Sequence, residues 1–139
     1  GEASVVAVSE MSAEGTRLAG LRTRMLDRLR VDHGDMFVNG AMDRRVPGNL
    51  NVGFPGVDAE ALMTALESVA ISTGSACTSA SVEPSYVLRA LGLDDADAGA
   101  SIRIGFGRFT TETEVDIAAD MIAAAVGTQR SDSSVRAAE

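Results

Sequence analysis

The chain has 139 residues, 45% of them hydrophobic and 23% charged, with a net charge of -8. That is the balance of one soluble globular domain, and its acidity argues against a nucleic-acid footprint, which needs a positive patch. No apolar run approaches the roughly 18–20 residues that span a bilayer, and the opening residues lack the basic segment of a signal peptide.

A single Cys cannot close an internal disulfide, which fits a reducing, cytoplasmic setting. With one Cys and one His, a self-contained metal site is not expected. All 12 basic residues are Arg, and the chain has no Lys. The absence of an initiator Met, with a helical pattern already running, is expected of a chain that begins partway through a larger protein.

Residues 3–30 read as one amphipathic helix. Val8, Met11, Leu18, Leu21, Met25 and Leu29 recur at spacings of three, four or seven and form an apolar stripe. A short strand is expected at Met36–Val38, ended by the Asn39-Gly40 turn pair, and a loop over 41–48 closes at Pro47-Gly48. From Asn49 to Phe54 the pattern alternates, with Leu50, Val52 and Phe54 on one face of a half-buried strand. Asp58 is a suitable N-cap for a helix to about Ser68, and Val69–Ile71 is a short strand.

Residues 72–83 are small and polar and read as a loop. Pro84 can open the next helix and Gly92 can close it. Ala100 to Phe106 alternates again, with Ile102, Ile104 and Phe106 on one face and Arg103 and Gly105 on the other. Thr111 and Glu114 form a capping box for a helix through about Val126, and the polar residues from Gly127 onward read as a disordered tail. This order predicts an α+β fold: a small, mostly antiparallel sheet with helices packed on one face.

Cys77 has the neighbours Gly74, Ser75, Ala76, Thr78, Ser79 and Ser81, which leave a sulfur accessible, whereas a structural Cys sits among apolar residues. A helix starting near Pro84 would favour its thiolate if the N-terminus points back at the loop. The local context leaves open a reactive thiol and an incidental one. Arg103, on the polar face of its strand, either pairs with a structural carboxylate or awaits an anionic ligand that its planar fork fits. Arg108 reads as backbone or surface pairing. Glu83 and the run Asp94, Asp95, Asp97 read as solvated charge, and His33 as a surface histidine.

Three stretches together carry a family resemblance. They are Arg45-Val-Pro-Gly-Asn-Leu-Asn51; Ser72-Thr-Gly-Ser-Ala-Cys-Thr-Ser79 with Glu83-Pro-Ser-Tyr-Val-Leu-Arg-Ala-Leu-Gly92; and Ser101-Ile-Arg103 running into Gly107-Arg-Phe-Thr-Thr111. In this order and spacing, the chain over roughly residues 1–127 resembles the cysteine desulfurases, in particular the long-loop group of iron–sulfur cluster assembly. The resemblance implies the C-terminal portion of an aspartate-aminotransferase (fold type I) enzyme. Residues 1–30 would then be a helix bridging to a large domain, 31–127 the small domain with its cysteine loop at 72–83, and 128–139 a tail.

It further implies a homodimer that uses pyridoxal 5'-phosphate (PLP) to convert L-cysteine to L-alanine. Cys77 would be the catalytic nucleophile that carries the sulfur as a persulfide to an acceptor protein. Arg103 would bind the substrate carboxylate. The family's Schiff-base lysine has no counterpart here, so the chain alone is expected neither to link PLP covalently nor to turn over cysteine. A different class of reading, a non-catalytic sulfur-relay or interaction domain in which Cys77 only passes on a persulfide, predicts no upstream cofactor lysine.

Overall fold

The computed structural model describes residues 1–73 and 85–136. In chain order the elements are α1 (Glu2–Asp32), β1 (Phe37–Val38), β2 (Asn49–Gly53), α2 (Ala59–Ala65), β3 (Ile71–Ser72), α3 (Tyr86–Ala90), α4 (Asp95–Gly99), β4 (Ser101–Gly105) and α5 (Glu112–Arg136).

The four strands form one antiparallel sheet in the order β1-β2-β4-β3. Alternation gives each face its character. Leu50 and Val52 of β2 lie opposite Ile104 and Ile102 of β4, and all four are buried. On the other face Asn51 lies opposite Arg103, and Arg103 in turn lies opposite Ser72 of β3. The apolar face is covered by the long helices. Leu21, Met25 and Leu29 of α1 and Val115, Ile122 and Val126 of α5 close on it, with Phe54 and Leu62 between. Each side chain fully removed from water there contributes about 1.5–3 kcal/mol, which makes this layer the main source of stability. The predicted α+β class, with the long helices on one side of the sheet, is what the structure has.

Two short helices border the opposite face. Ser101, on the Arg103 side of β4, donates its hydroxyl to the Asp97 carbonyl of α4 at 2.7 Å. Where the sequence reads Asp94, Asp95 and Asp97 as loop charge, Asp94 caps a helical turn by accepting from the Asp97 N–H at 2.8 Å.

Capping chemistry matches expectation at two helix starts. Asp58 accepts from the N–H groups of Glu60 and Ala61 at 2.9 and 3.1 Å. Thr111 and Glu114 form the reciprocal box: the Thr111 N–H donates to Glu114 Oε2 at 2.8 Å, and the Glu114 N–H donates to Thr111 Oγ1 at 3.2 Å. The Thr111 N–H, and after it the Thr111 hydroxyl, donate to the Glu114 carboxyl and hold it below its ordinary value.

Two expectations need correction. His33 is not a surface residue: it is 6% exposed, its Nε2 lies 3.1 Å from the Ala123 carbonyl, and its ring meets Phe54 edge-on at 5.6 Å. Its acidic sequence neighbours point the eye outward, but it closes α1 against α5. The segment from Gly127 is not a disordered tail as far as Arg136, because α5 continues through it. Gln129 exchanges hydrogen bonds with the backbone of Asp58, and Arg130 makes a two-pronged pair with Asp35 and donates to the Pro55 carbonyl. Tertiary anchors of this kind outweigh a polar composition. The apolar stripe of α1 is buried from Leu21 onward, while Val5, Val8 and Met11 near its start are exposed.

The α1–α5 seam is edged by ion pairs. Arg24 binds Asp116 through both carboxylate oxygens at 2.7 Å, and Arg28 binds Asp120. Arg24 holds the Asp116 carboxyl below its usual range, and Arg130 does the same to Asp35.

Two glycines are required by close approaches: a Cβ on Gly48 would stand 2.4 Å from the Phe106 carbonyl oxygen, and Gly53 is the other. The Phe37 ring lies against Gly53, and a Cβ there would stand 2.1 Å from the ring.

Candidate functional site

The polar face of the sheet opens into a cavity of about 280 Å³, walled by the 39–45 turn, by Asn49, Asn51 and Arg103 on the strands, and by Ser85 and Leu88 at α3. Three guanidiniums border it, those of Arg44, Arg45 and Arg103, and among the described residues its lining contains no carboxylate. It is therefore a cationic cavity, suited to a small anion.

Arg103 is exposed on the strand and, among the described residues, has neither a hydrogen-bond nor an ion-pair partner. Of the two readings open to it, a structural pair and an anion ligand, the first finds no carboxylate among the described residues. A planar guanidinium left free on a rigid strand can grip a carboxylate by two parallel N–H donors.

Arg45 has another task. Its Nε donates to the Ala41 carbonyl at 3.0 Å, and its Nη2 donates to the carbonyls of Asn39 and Gly40 at 2.7 and 2.8 Å. It thereby holds the turn that walls the cavity, a turn in which Gly40 has a φ of 75°. Burial depresses the pKa of this guanidinium, and neighbouring Arg22 depresses it further.

Behind the cavity lies a polar network. Asn39, 5% exposed, donates from Nδ2 to Asn51 Oδ1 at 2.7 Å and to Ser101 Oγ at 2.9 Å. The residue composition around 39–51 gives no chemical signal for it. The alternation of the 49–54 strand does place Asn49 and Asn51 on the face away from Leu50 and Val52, but only strand pairing reveals that Asn51 abuts Arg103.

Cys77 lies outside the described residues, as does Glu83. Of the described residues that flank it in sequence, Ser72 is the cross-strand partner of Arg103 and Ser85 lines the cavity. Arg108 is an ion-pair partner of Glu10 and stands apart from the cavity.

A second groove, about 510 Å³, runs between Met25, Ile104, Phe106, Phe109 and Met121. It is larger but apolar, and its Glu114 is occupied in the α5 cap, so it has none of the chemistry of the Arg103 cavity. Among the described residues no group of three or more His, Cys, Asp or Glu could hold a metal ion, and no helix is long and apolar enough to cross a membrane.

An antiparallel four-stranded sheet has long helices on one face and, on the other, an arginine with no partner among the described residues. Residues 5–117 match the family Aminotransferase class-V, and the chain belongs to that family. Among curated relatives it is 52% identical over 130 residues to "Cysteine desulfurase IscS" of Aeromonas hydrophila, covering 94% of this chain and 32% of that protein. It is likewise 52% identical over 126 residues to the protein of the same name from Vibrio cholerae, covering 91% of this chain and 31% of the other. The chain thus spans about a third of the length of the curated relatives it matches.

Among solved structures, a NifS-like protein superposes with a TM-score of 0.74 at 24% identity, over 88% of this chain and 31% of its own. The NifS-like protein from Rickettsia africae gives 0.72 at 17% identity, over 88% and 32%. At these identities the two show the shared fold. DndA from Streptomyces lividans is 33% identical with a TM-score of 0.52, over 75% of this chain and 29% of that one.

PLP, the cofactor that the family resemblance implies, is not matched by the residues present. The chain has no lysine to form an imine with it.

Proposed function

We propose that this chain is the part of a cysteine desulfurase that grips the substrate carboxylate and supplies the sulfur nucleophile. The observation that carries the reading is Arg103: among the described residues its guanidinium has no protein partner, and the cavity it lines has no carboxylate. The names of the 52%-identical relatives point the same way.

In this reading Arg103 binds the carboxylate of L-cysteine through two parallel N–H donors and so fixes where the substrate's sulfur lies. Cys77, as thiolate, attacks that sulfur. The new S–S bond forms as the substrate's C–S bond breaks, and the bonding pair leaves on the carbon that becomes alanine after taking a proton. Accommodating that pair is the chemistry PLP supplies when bound, and its lysine has to come from outside this chain. The chain by itself is therefore inactive in this account.

Cys77 follows Ser72 by a stretch of chain that spans at most about 17 Å when extended. A nucleophile on such a tether can serve two stations, the substrate beside Arg103 and an acceptor thiol, where exchange depends on access and thiolate fraction. The acceptor is a protein of sulfur trafficking, with iron–sulfur cluster assembly the pathway that the resemblance favours. The complete enzyme in this account is a cytoplasmic homodimer.

The test uses the complete, cofactor-loaded protein. Cys77→Ser should abolish sulfide release from L-cysteine in the presence of a reductant while leaving the cofactor absorbance in place. Sulfide release at the wild-type rate would rule the assignment out.

A further inference from the structure

The hydrogen-bond network behind the cavity has a direction, and the direction decides what the cavity presents beside Arg103. Ser101 has one hydroxyl proton, and it goes to the Asp97 carbonyl at 2.7 Å, one of the carbonyls left open at the end of α4. Ser101 Oγ can then only accept, so the Asn39 atom 2.9 Å away must be the amide nitrogen. The second proton of that nitrogen goes to Asn51 at 2.7 Å, where it requires the carbonyl oxygen.

With both amides turned over, two oxygens would face each other at the Asn39–Ser101 contact with no proton between them. Either orientation leaves one buried atom of Asn39 without a partner, which in the structure is Oδ1, so that cost does not favour the reversed arrangement. The consequence falls on Asn51. With its oxygen held inward by Asn39, its NH₂ is left on the cavity side, and among the described residues it has no acceptor. Register places it directly across from Arg103 on the same face of the sheet, where opposed Cβ atoms stand about 4.5–5.5 Å apart.

We propose that Asn51 is a second donor to the substrate carboxylate, beside Arg103, and that Asn39 and Ser101 are positioning residues that keep its NH₂ turned outward. This rests on the reading of Arg103 as the carboxylate ligand. A carboxylate with four lone-pair sites can take the Arg103 fork and a further N–H, and the added donor fixes rotation about the guanidinium axis. The ligand class is a small α-amino acid with a free carboxylate. Its amide is disfavoured, because the amide NH₂ would meet the donor of Asn51.

The test is calorimetric binding of L-alanine and of L-alaninamide to the complete, cofactor-loaded protein, read as the ratio of the two affinities. A hydrogen bond to a charged group corresponds to about 10- to 100-fold in affinity, so Asn51→Ala should lower the preference for L-alanine by that factor. Asn39→Asp supplies two acceptors and no donor, which turns the Asn51 NH₂ inward and its oxygen outward. The preference should then fall although Asn51 is unchanged, whereas a merely structural disturbance would weaken both ligands together. If Asn39→Asp does not fold, Ser101→Ala, which removes the acceptor that sets the direction, should lower the same ratio. An unchanged ratio in Asn51→Ala overturns the inference. An unchanged ratio in Arg103→Ala overturns instead the reading of the site on which it rests.

Discussion

Arg103 and Asn51 stand directly opposite each other in the β2–β4 register, with Ser72 opposite Arg103 on its other side. The cation is thus set in the middle of the sheet between two polar neighbours, on a backbone pinned by strand pairing on both flanks. The backbone that carries the guanidinium is fixed before any ligand arrives, so the ordering entropy lost on binding is that of the side chain alone.

Arg103→Ala in the complete protein should raise the KM for L-cysteine by about 10- to 100-fold, the range for losing hydrogen bonds to a charged group. Arg103→Lys should recover only part of this, because an ammonium keeps the charge but not the planar fork. Steady-state kinetics checks both, and a Lys variant indistinguishable from wild type would show that charge alone suffices.

Arg45→Ala removes the donors that hold the carbonyls of Asn39, Gly40 and Ala41. Their loss should cost about 1–3 kcal/mol of stability, seen as a lower midpoint of denaturant unfolding with little change in slope. A midpoint equal to that of wild type would show that the turn holds its shape without the clamp.

Gly53→Ala puts a methyl group where the Phe37 ring lies. Overpacking of this kind costs about 1–3 kcal/mol, and the double variant Gly53→Ala with Phe37→Ala should recover part of that loss by freeing the space. Thermal melts of the four proteins of the cycle measure the coupling. Simple additivity would contradict the contact.

Acid should weaken the helix seam. Asp35 and Asp116 are held below the ordinary aspartate value of 3.8 by Arg130 and Arg24, and Glu14 and Glu114 below the glutamate value of 4.5 by Arg17 and the Thr111 N–H. A carboxyl with a depressed folded-state pKa stabilises the fold fully above its unfolded value, and the contribution is lost as pH falls through the folded value. Melting temperature should therefore hold steady from neutral pH down to about 5 and decline below about 4. A melting temperature that rises below pH 4 would reverse the sign of this account.

Much of the frame was legible in the residue pattern because its signals are local. The alternation of Leu50, Val52 and Phe54 and of Ile102, Ile104 and Phe106, the Asp58 cap and the Thr111–Glu114 box each act within a few residues. What escaped the pattern depends on partners far along the chain. His33 is buried by Ala123 and Phe54, and the end of α5 is held by Asp58 and Asp35, none of which a local window contains.

At the site, strand alternation put Arg103 on the polar face, but that no described carboxylate stands beside it emerges only once the cavity wall is assembled. The roles of Asn39, Arg45 and Asn51 likewise come from hydrogen bonds and register that their residue types do not announce.

The central claim is that a thiolate at Cys77 takes the sulfur from an amino acid anchored by Arg103. The most direct measurement is peptide mass spectrometry of the complete protein after a brief exposure to L-cysteine, without reductant. The account predicts that the peptide containing Cys77 gains the mass of one sulfur atom and that the gain is largely lost in Arg103→Ala. An unmodified Cys77 peptide from protein that is releasing alanine would contradict it.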